Sequence, residues 1–189
     1  MNYAEIKYCD IANGEGVRTT LFVSGCRHRC KNCFQPETWS FSYGEEFDDE
    51  VAKKIIASLD GPFVDGLTLL GGEPMEPENQ RALLPFLREV KQAHPEKTVW
   101  CYTGDIFEDL MNSDSERHTE ATEELMSLID ILVDGPYIEA EHDITLRFRG
   151  SRNQRIIDVP ATLASGSICL WSDDSNYATH TWVESGISI

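Results

Sequence analysis

Cys26, Cys30 and Cys33 place three thiols within eight residues, in the stretch SGCRHRCKNCF. A structural zinc site usually joins two cysteine pairs to close four ligands around one ion. No second pair exists here, because Cys9, Cys101 and Cys169 each stand alone. His28 lies inside the loop and could complete such a set, but only by folding inward under tight geometric constraint. Three thiolates also suit a four-iron cluster, which they would leave with one iron free of protein ligand. An open coordination position is what catalysis at a metal requires.

A second chemically suggestive stretch is LLGGEP, residues 69–74. Gly71 and Gly72 remove two side chains, so backbone can come close to a ligand. Carbonyls near Glu73 could then accept an ammonium group. Taken alone the stretch is also a turn signal. Of the 16 Lys and Arg, Arg27, Arg29 and Lys31 flank the cysteines, and Arg147, Arg149, Arg152 and Arg155 form a second group. These arginines could face a partner, anchor a carboxylate, or simply be solvated. The first group would place cations around an anionic cluster.

The elements that must position these residues alternate between strand and helix. Residues 19–24 have the β-branched and aromatic content of a buried strand. Beyond the cysteine loop, Val51, Ile55 and Leu59 recur four apart behind an acidic first turn, which predicts a helix within 46–59. Residues 67–70 read as the next strand. A helical stripe through Leu83, Leu84, Leu87 and Val90 follows, with Pro85 expected to kink or break it. KTVWCY is a third strand, followed by TGD and a short helix to about Met111. The polar segment NSDSERHTEAT reads as a solvated loop before a helix around residues 123–128. DILVDG is a fourth strand, and ITLRFRG and QRIIDV look like further extended pieces.

From Pro160 onward no period is clear, apart from one possible added strand at 167–171. Cys9, Cys101 and Cys169 are expected to be buried small hydrophobes, and Trp39 and Trp100 core residues. Strands joined by helices in this order imply an α/β fold with a parallel sheet, open or partly closed into a barrel. Ligands then bind beyond the carboxyl ends of the strands. The cysteine loop, GGEP, TGD and DG each follow a strand, so all would meet on one rim.

At 189 residues, 41% of them hydrophobic, the chain is long enough for one domain with a real core. A net charge of -17 argues against nucleic acid as the main partner. The start MNYAEIKYCD lacks the flank and apolar run of a secretory signal, and no stretch is long and apolar enough to span a bilayer. No membrane association is expected, and the cytoplasm, where thiols stay reduced, is the expected compartment.

The cysteine spacing C-x3-C-x2-C followed by GGEP resembles the radical S-adenosylmethionine superfamily. DIANGEGVRTTLFVSGC, LLGGEP, VWCYTG, ILVDGPYI and RFRGSRNQRIID follow one another as in the anaerobic ribonucleoside-triphosphate reductase-activating proteins, a group of short glycyl-radical-enzyme activases. The similarity runs from about Asp10 to Asp158. It implies a single-domain α/β fold, an incomplete parallel β/α barrel over residues 1–159, with 160–189 as an extension packed on or peripheral to it.

It further implies a 4Fe-4S cluster held by Cys26, Cys30 and Cys33, with the amino and carboxyl groups of S-adenosylmethionine on the fourth iron. Cosubstrate contacts would fall at Asn32, Cys33, Phe34, Gly71, Gly72, Glu73, Pro74, Thr103 and Asp134. Thr103 could equally cap the next helix, and Asp134 could open a turn. Asn32 stands where the superfamily often has an aromatic residue packed on adenine, which leaves Phe34 or backbone atoms to substitute.

The implied reaction is reductive cleavage of S-adenosylmethionine to methionine and a 5'-deoxyadenosyl radical, which takes a hydrogen from a glycine. It calls for no side-chain acid or base. The implied partners are the large subunit of the anaerobic reductase and an external one-electron donor such as flavodoxin. Two rival readings share part of the pattern. One is an activase for another glycyl radical enzyme, although these usually carry additional cysteines. The other is a non-enzymatic zinc or electron-transfer module.

Overall fold

The computed structural model describes residues 1–172. Its centre is one mixed sheet of seven strands in the order β3-β1-β2-β4-β5-β6-β7. The inner strands β2 (Arg18–Val23), β4 (Gly66–Gly71), β5 (Thr98–Tyr102) and β6 (Ile131–Asp134) run parallel. They are buried along most of their length, which explains why they read as short apolar runs in the sequence.

Both flanks depart from the expected all-parallel arrangement. β1 (Asn2–Asp10) pairs antiparallel with β2, and the short β3 (Glu45–Glu46) pairs antiparallel with β1. β7 (Arg155–Asp158) pairs antiparallel with β6. β1 escaped notice because most of its residues are exposed or half-buried, with register shifts that blur the alternation. ITLRFRG, expected to be extended, instead forms turns.

The helices are α1 (Asp49–Ser58), α2 (Pro77–Ala93), α3 (Phe107–Leu110), α4 (Thr122–Ser127) and α5 (Val159–Ser165). Asp48 caps α1 by accepting the Val51 amide at 2.9 Å. α2 continues through Pro85 rather than breaking. Pro85 lies on the exposed side, so water can satisfy the carbonyl its ring leaves free, while Leu83, Phe86, Leu87 and Val90 hold the inner face.

The parallel strands advance across the sheet in sequence order, so successive right-handed crossovers bring their helices to one face. The main core forms there. Leu21, Val23, Leu67, Leu69, Val99, Cys101 and Leu132 from the strands meet Ile55, Leu83, Leu87, Val90 and Leu125 from the helices. Alternate strand residues point the other way, and Trp100, Ile131 and Val133 form a smaller cluster with Tyr102, Phe148, Ile156 and Trp171.

Between Pro160 and Ser172 the chain is more regular than its sequence suggests. Asp158 caps α5, and Val159 and Thr162 are buried. The expected strand at 167–171 reduces to a single bridge between Leu170 and Ile157, and the Trp171 amide donates to Ile156 at 2.9 Å. The Trp171 ring lies 5.3 Å from that of Trp100. Of the three isolated cysteines only Cys101 is fully buried. Cys9 is exposed and Cys169 half-buried, so the expectation of burial holds for Cys101 alone. Among the described residues, no helix is long and apolar enough to cross a membrane.

Candidate metal centre and its cleft

Cys26, Cys30 and Cys33 line a single cleft beyond the carboxyl ends of the parallel strands. Gly71, Gly72 and Glu73 from the end of β4, Thr103 and Gly104 after β5, and Gly135 after β6 line the same cleft, with Tyr137, Gly150 and Gln154 closing one side. The strand-end rule therefore brings together the motifs that sequence order kept apart.

The cysteine loop has a repeating backbone device. Each cysteine follows a residue with positive φ: Gly25 at 98°, Arg29 at 48° and Asn32 at 59°. That conformation reverses the chain locally, and asparagine tolerates it better than most residues with a side chain. Asn32 thus has a backbone reason for its place. Its side chain points to Glu139, with which Lys31 also pairs at 2.7 Å, rather than lying flat as an aromatic platform. Phe34 lines the cleft with 91% of its surface exposed, open to packing against a bound ring.

The three thiols fit a cluster better than a single ion. Among the described residues their sulfurs are not gathered within 4.8 Å of one another. Sulfurs bound to one zinc ion at about 2.3 Å would stand within about 4 Å, whereas a cubic cluster places each thiolate on a separate iron. Cys26 is buried, and burial together with the nearby Glu73 carboxylate pushes its thiol up to about 11.

The two glycines line the cleft and also allow a close approach within the protein itself. A Cβ on Gly71 would stand 2.7 Å from the Val23 carbonyl oxygen, and one on Gly72 would stand 2.6 Å from that of Gly25. Their bareness lets the end of β4 press against the root of the cysteine loop. The Gly72 amide donates to Val23 at 2.7 Å and the Glu73 amide to Gly25 at 2.8 Å. These bonds seat Cys26 directly.

Glu73 is almost completely buried. Its carboxylate accepts the amides of Met75 at 2.8 Å and Gly104 at 2.7 Å. Its carbonyl accepts from Asn79 Nδ2 at 2.9 Å and from the Glu76 amide at 3.2 Å. Thr103 lines the cleft, and its Oγ1 accepts the Asp105 amide at 3.1 Å within the loop; it does not cap the next helix, α3, whose N-cap is Ile106. Pro74 is buried behind the rim.

Asp134 is buried below the rim and engaged on both oxygens. Arg155 Nε donates to one at 2.9 Å and the Phe107 amide to the other at 2.8 Å. Its neighbour Gly135 reaches the cleft in its place. The flanking cations are likewise matched by acids. Arg27 pairs with Glu76 and Glu78, Arg152 with Asp143, and Arg155 with Glu108 as well as Asp134. The expected cationic collar is thus largely neutralised by local carboxylates.

Sequence reasoning missed the layer beneath the loop. Glu76 is fully buried and accepts the Arg27 amide at 2.7 Å, the Arg27 guanidinium and the Arg117 guanidinium. Arg117 belongs to the segment read as a solvated loop, yet it reaches under the cysteines to Asp105 at 3.3 Å. His28 turns to Asp105 and Glu73, which raise its imidazole to about 10. The only available signal was the density of charged residues in otherwise unrelated loops. Trp39, expected in the core, is half-buried and lines the cleft.

A family model described as a 4Fe-4S single cluster domain matches residues 12–157. A Haemophilus influenzae protein named anaerobic ribonucleoside-triphosphate reductase-activating protein is 42% identical over 158 residues, covering 82% of this chain and 97% of its own. Proteins of the same name from Enterobacteria phage T4 and Escherichia coli K12 are 36% and 35% identical, again over 82% of this chain and over 93% and 96% of theirs. The matched span contains the cysteine loop, the GGE turn and every parallel strand, and on that similarity the chain belongs to the family of anaerobic ribonucleoside-triphosphate reductase-activating proteins, iron-sulfur activating enzymes.

Proposed function

We propose that this chain installs the glycyl radical on the large subunit of an anaerobic ribonucleoside-triphosphate reductase, using S-adenosylmethionine bound at a 4Fe-4S cluster. Cys26, Cys30 and Cys33 would hold three irons and leave the fourth for the amino and carboxyl groups of the cosubstrate. The observation that carries this reading is the convergence of three thiols, each set by a left-handed residue, with the GGE turn on one cleft. When bound, cluster and cosubstrate supply one-electron cleavage of a carbon-sulfur bond, giving a carbon radical able to take hydrogen from the target glycine.

The protein's share is binding, orientation and exclusion of water. Because the Glu73 carbonyl already holds Asn79 and the Glu76 amide, the ammonium would be met by the carbonyls of Gly71 and Gly72. Thr103 and the backbone at Gly135 would border the sugar and carboxylate, with Asp134 fixing that strand end through Arg155. Phe34 would supply the apolar surface for adenine, since Asn32 is turned to Glu139. The core would be an incomplete barrel, a reading supported by parallel strands that advance in order with antiparallel β1 and β7 at their flanks. Residues 160–172 would form the start of an extension to that core, and the rest of the expected extension, 173–189, lies outside the described residues. An external one-electron donor such as flavodoxin would reduce the cluster in the cytoplasm.

The test is anaerobic reconstitution, reduction and addition of S-adenosylmethionine, with 5'-deoxyadenosine measured and the reductase large subunit added for electron paramagnetic resonance. A glycyl doublet appearing only with all components is the expected result. Iron-loaded, reduced protein that yields neither product nor doublet would refute the proposal.

A further inference from the structure

His28 is the one residue of the cysteine loop that could have served as a fourth ligand, and the structure directs it elsewhere. Its Nε2 lies 3.1 Å from a Glu73 carboxylate oxygen and 3.4 Å from an Asp105 carboxylate oxygen. The nitrogen faces two oxygens at once rather than aligning on one, and it is buried with no other partner. These two acids belong to loops after different strands, β4 and β5, so a single imidazole spans three strand-end loops. The ring also has a made-to-measure space, since a Cβ on Gly104 would stand 2.9 Å from its Cδ2 and Nε2.

Ligand atoms of His28, Glu73 and Asp105 lie within 4.8 Å of one another, a spacing that metal ligands also show. Two contacts argue against an ion there. Glu73 already receives the Gly104 amide at 2.7 Å, and the Arg117 guanidinium stands 3.3 Å from the same Asp105 oxygen. A cation is already present, and the acids are turned inward to protein donors.

We propose that His28 is a positioning residue, whose Nε2 pins the middle of the cysteine loop to Glu73 and Asp105 and so sets where Cys26 and Cys30 present their sulfurs. This rests on the reading of those cysteines as cluster ligands. Gly25 and Glu73 anchor the loop's beginning through the backbone, whereas between Cys26 and Cys33 the side-chain ties into the fold come from Arg27, His28, Lys31 and Asn32. Of these, His28 alone reaches both the β4 and β5 loops. Fixing the loop before metal arrives lowers the ordering cost of binding.

The test starts on the metal-free chain, where alkylation rates of Cys30 and Cys33 report loop order independently of any activity. His28→Leu is expected to raise those rates about tenfold, the worth of a hydrogen bond to a charged group. His28→Gln, whose amide nitrogen can reach the same carboxylates, should restore them. Gly104→Ala, which displaces the ring without removing a polar group, should mimic His28→Leu and decides the matter if that variant fails to fold.

In the reconstituted protein, His28→Leu should shift the cluster's electron paramagnetic resonance spectrum while His28→Gln leaves it near wild type. Unchanged alkylation in His28→Leu overturns the proposal, as does failure of Gln to restore the rate. Failure of the wild-type chain itself to assemble a cluster would instead remove the underlying reading of the cysteines.

Discussion

The two ends of the parallel strands differ in how completely their buried polar groups are satisfied. At the amino end Arg18 is 1% exposed, and all five of its N–H donors are engaged. Nε meets Thr68 Oγ1 at 2.7 Å, Nη1 meets the Glu15 carbonyl and Thr98 Oγ1 at 3.0 Å each, and Nη2 meets the Leu67 and Thr98 carbonyls at 2.8 and 2.7 Å. The guanidinium also sits 5.6 Å from the Trp100 ring. Burial lowers its pKa to about 10, still charged at neutral pH.

At the carboxyl end, by contrast, several buried polar atoms lack a hydrogen-bond partner, among them Ser24 Oγ, Trp39 Nε1 and Tyr102 OH. One end is complete without a ligand, and the other holds unused bonding capacity around a cleft. A fold tolerates strain and unmet polar groups where function requires them, provided the rest of the sheet is well satisfied.

Substitutions at the two ends should therefore fail in different ways. The largest effect is expected from Cys26→Ala, Cys30→Ala or Cys33→Ala, each abolishing cluster assembly as read by iron content and visible absorbance, while the melting temperature of the metal-free protein stays near that of the parent. If any one of them keeps full iron content and turnover, the carboxyl end has been misread.

Arg18→Met should do the reverse. Leaving several buried carbonyls and hydroxyls without a donor should cost about 3 to 5 kcal/mol of stability by urea denaturation, with iron bound per folded chain unchanged. A smaller cost would mean that the sheet relaxes around the lost cation.

Asn32→Val tests the strained end. A β-branched residue at positive φ should lose about 1 to 2 kcal/mol locally, visible as slower cluster reconstitution, and Asn32→Gly should assemble at the parental rate. Equal behaviour of Val and Gly would show that the side chain's tie to Glu139, not the backbone, matters there. The smallest effect belongs to neither end. Arg88 and Glu124 pair across the exposed faces of α2 and α4, and Glu124→Ala should leave both melting temperature and iron content unchanged within error.

Much of the site could be read before any coordinates, because its chemistry is carried by unusual residue types. Three close thiols and a double glycine ahead of an acid remain conspicuous wherever the chain takes them. The parallel strands were readable for a related reason, since strands buried on both faces become short runs of Leu, Val and Thr. The edges were readable only in part. β1 is half-exposed and irregular in register, and β7, legible as the extended piece QRIIDV, is antiparallel, a direction that side-chain pattern does not encode.

Glu73 and Asp134 show a second limit. Their position at strand ends was evident, but a carboxylate that faces a ligand and one that holds a neighbouring amide look alike in sequence. The difference lies in partners 31 and 27 residues away, Gly104 and Phe107.

The amino-acid sequence alone determined which atoms are available for chemistry here and roughly where along each strand they emerge, since local spacing and β-propensity suffice for that. The tertiary structure alone decided how those atoms are divided between ligand and scaffold. It turned His28 to Glu73 and Asp105, joined Arg117 to Glu76 and Asp105, and gave Asn32 a backbone reversal. Such allocation depends on distances between segments far apart in the chain, and pairing energies that act over a few ångströms leave no mark on local sequence pattern.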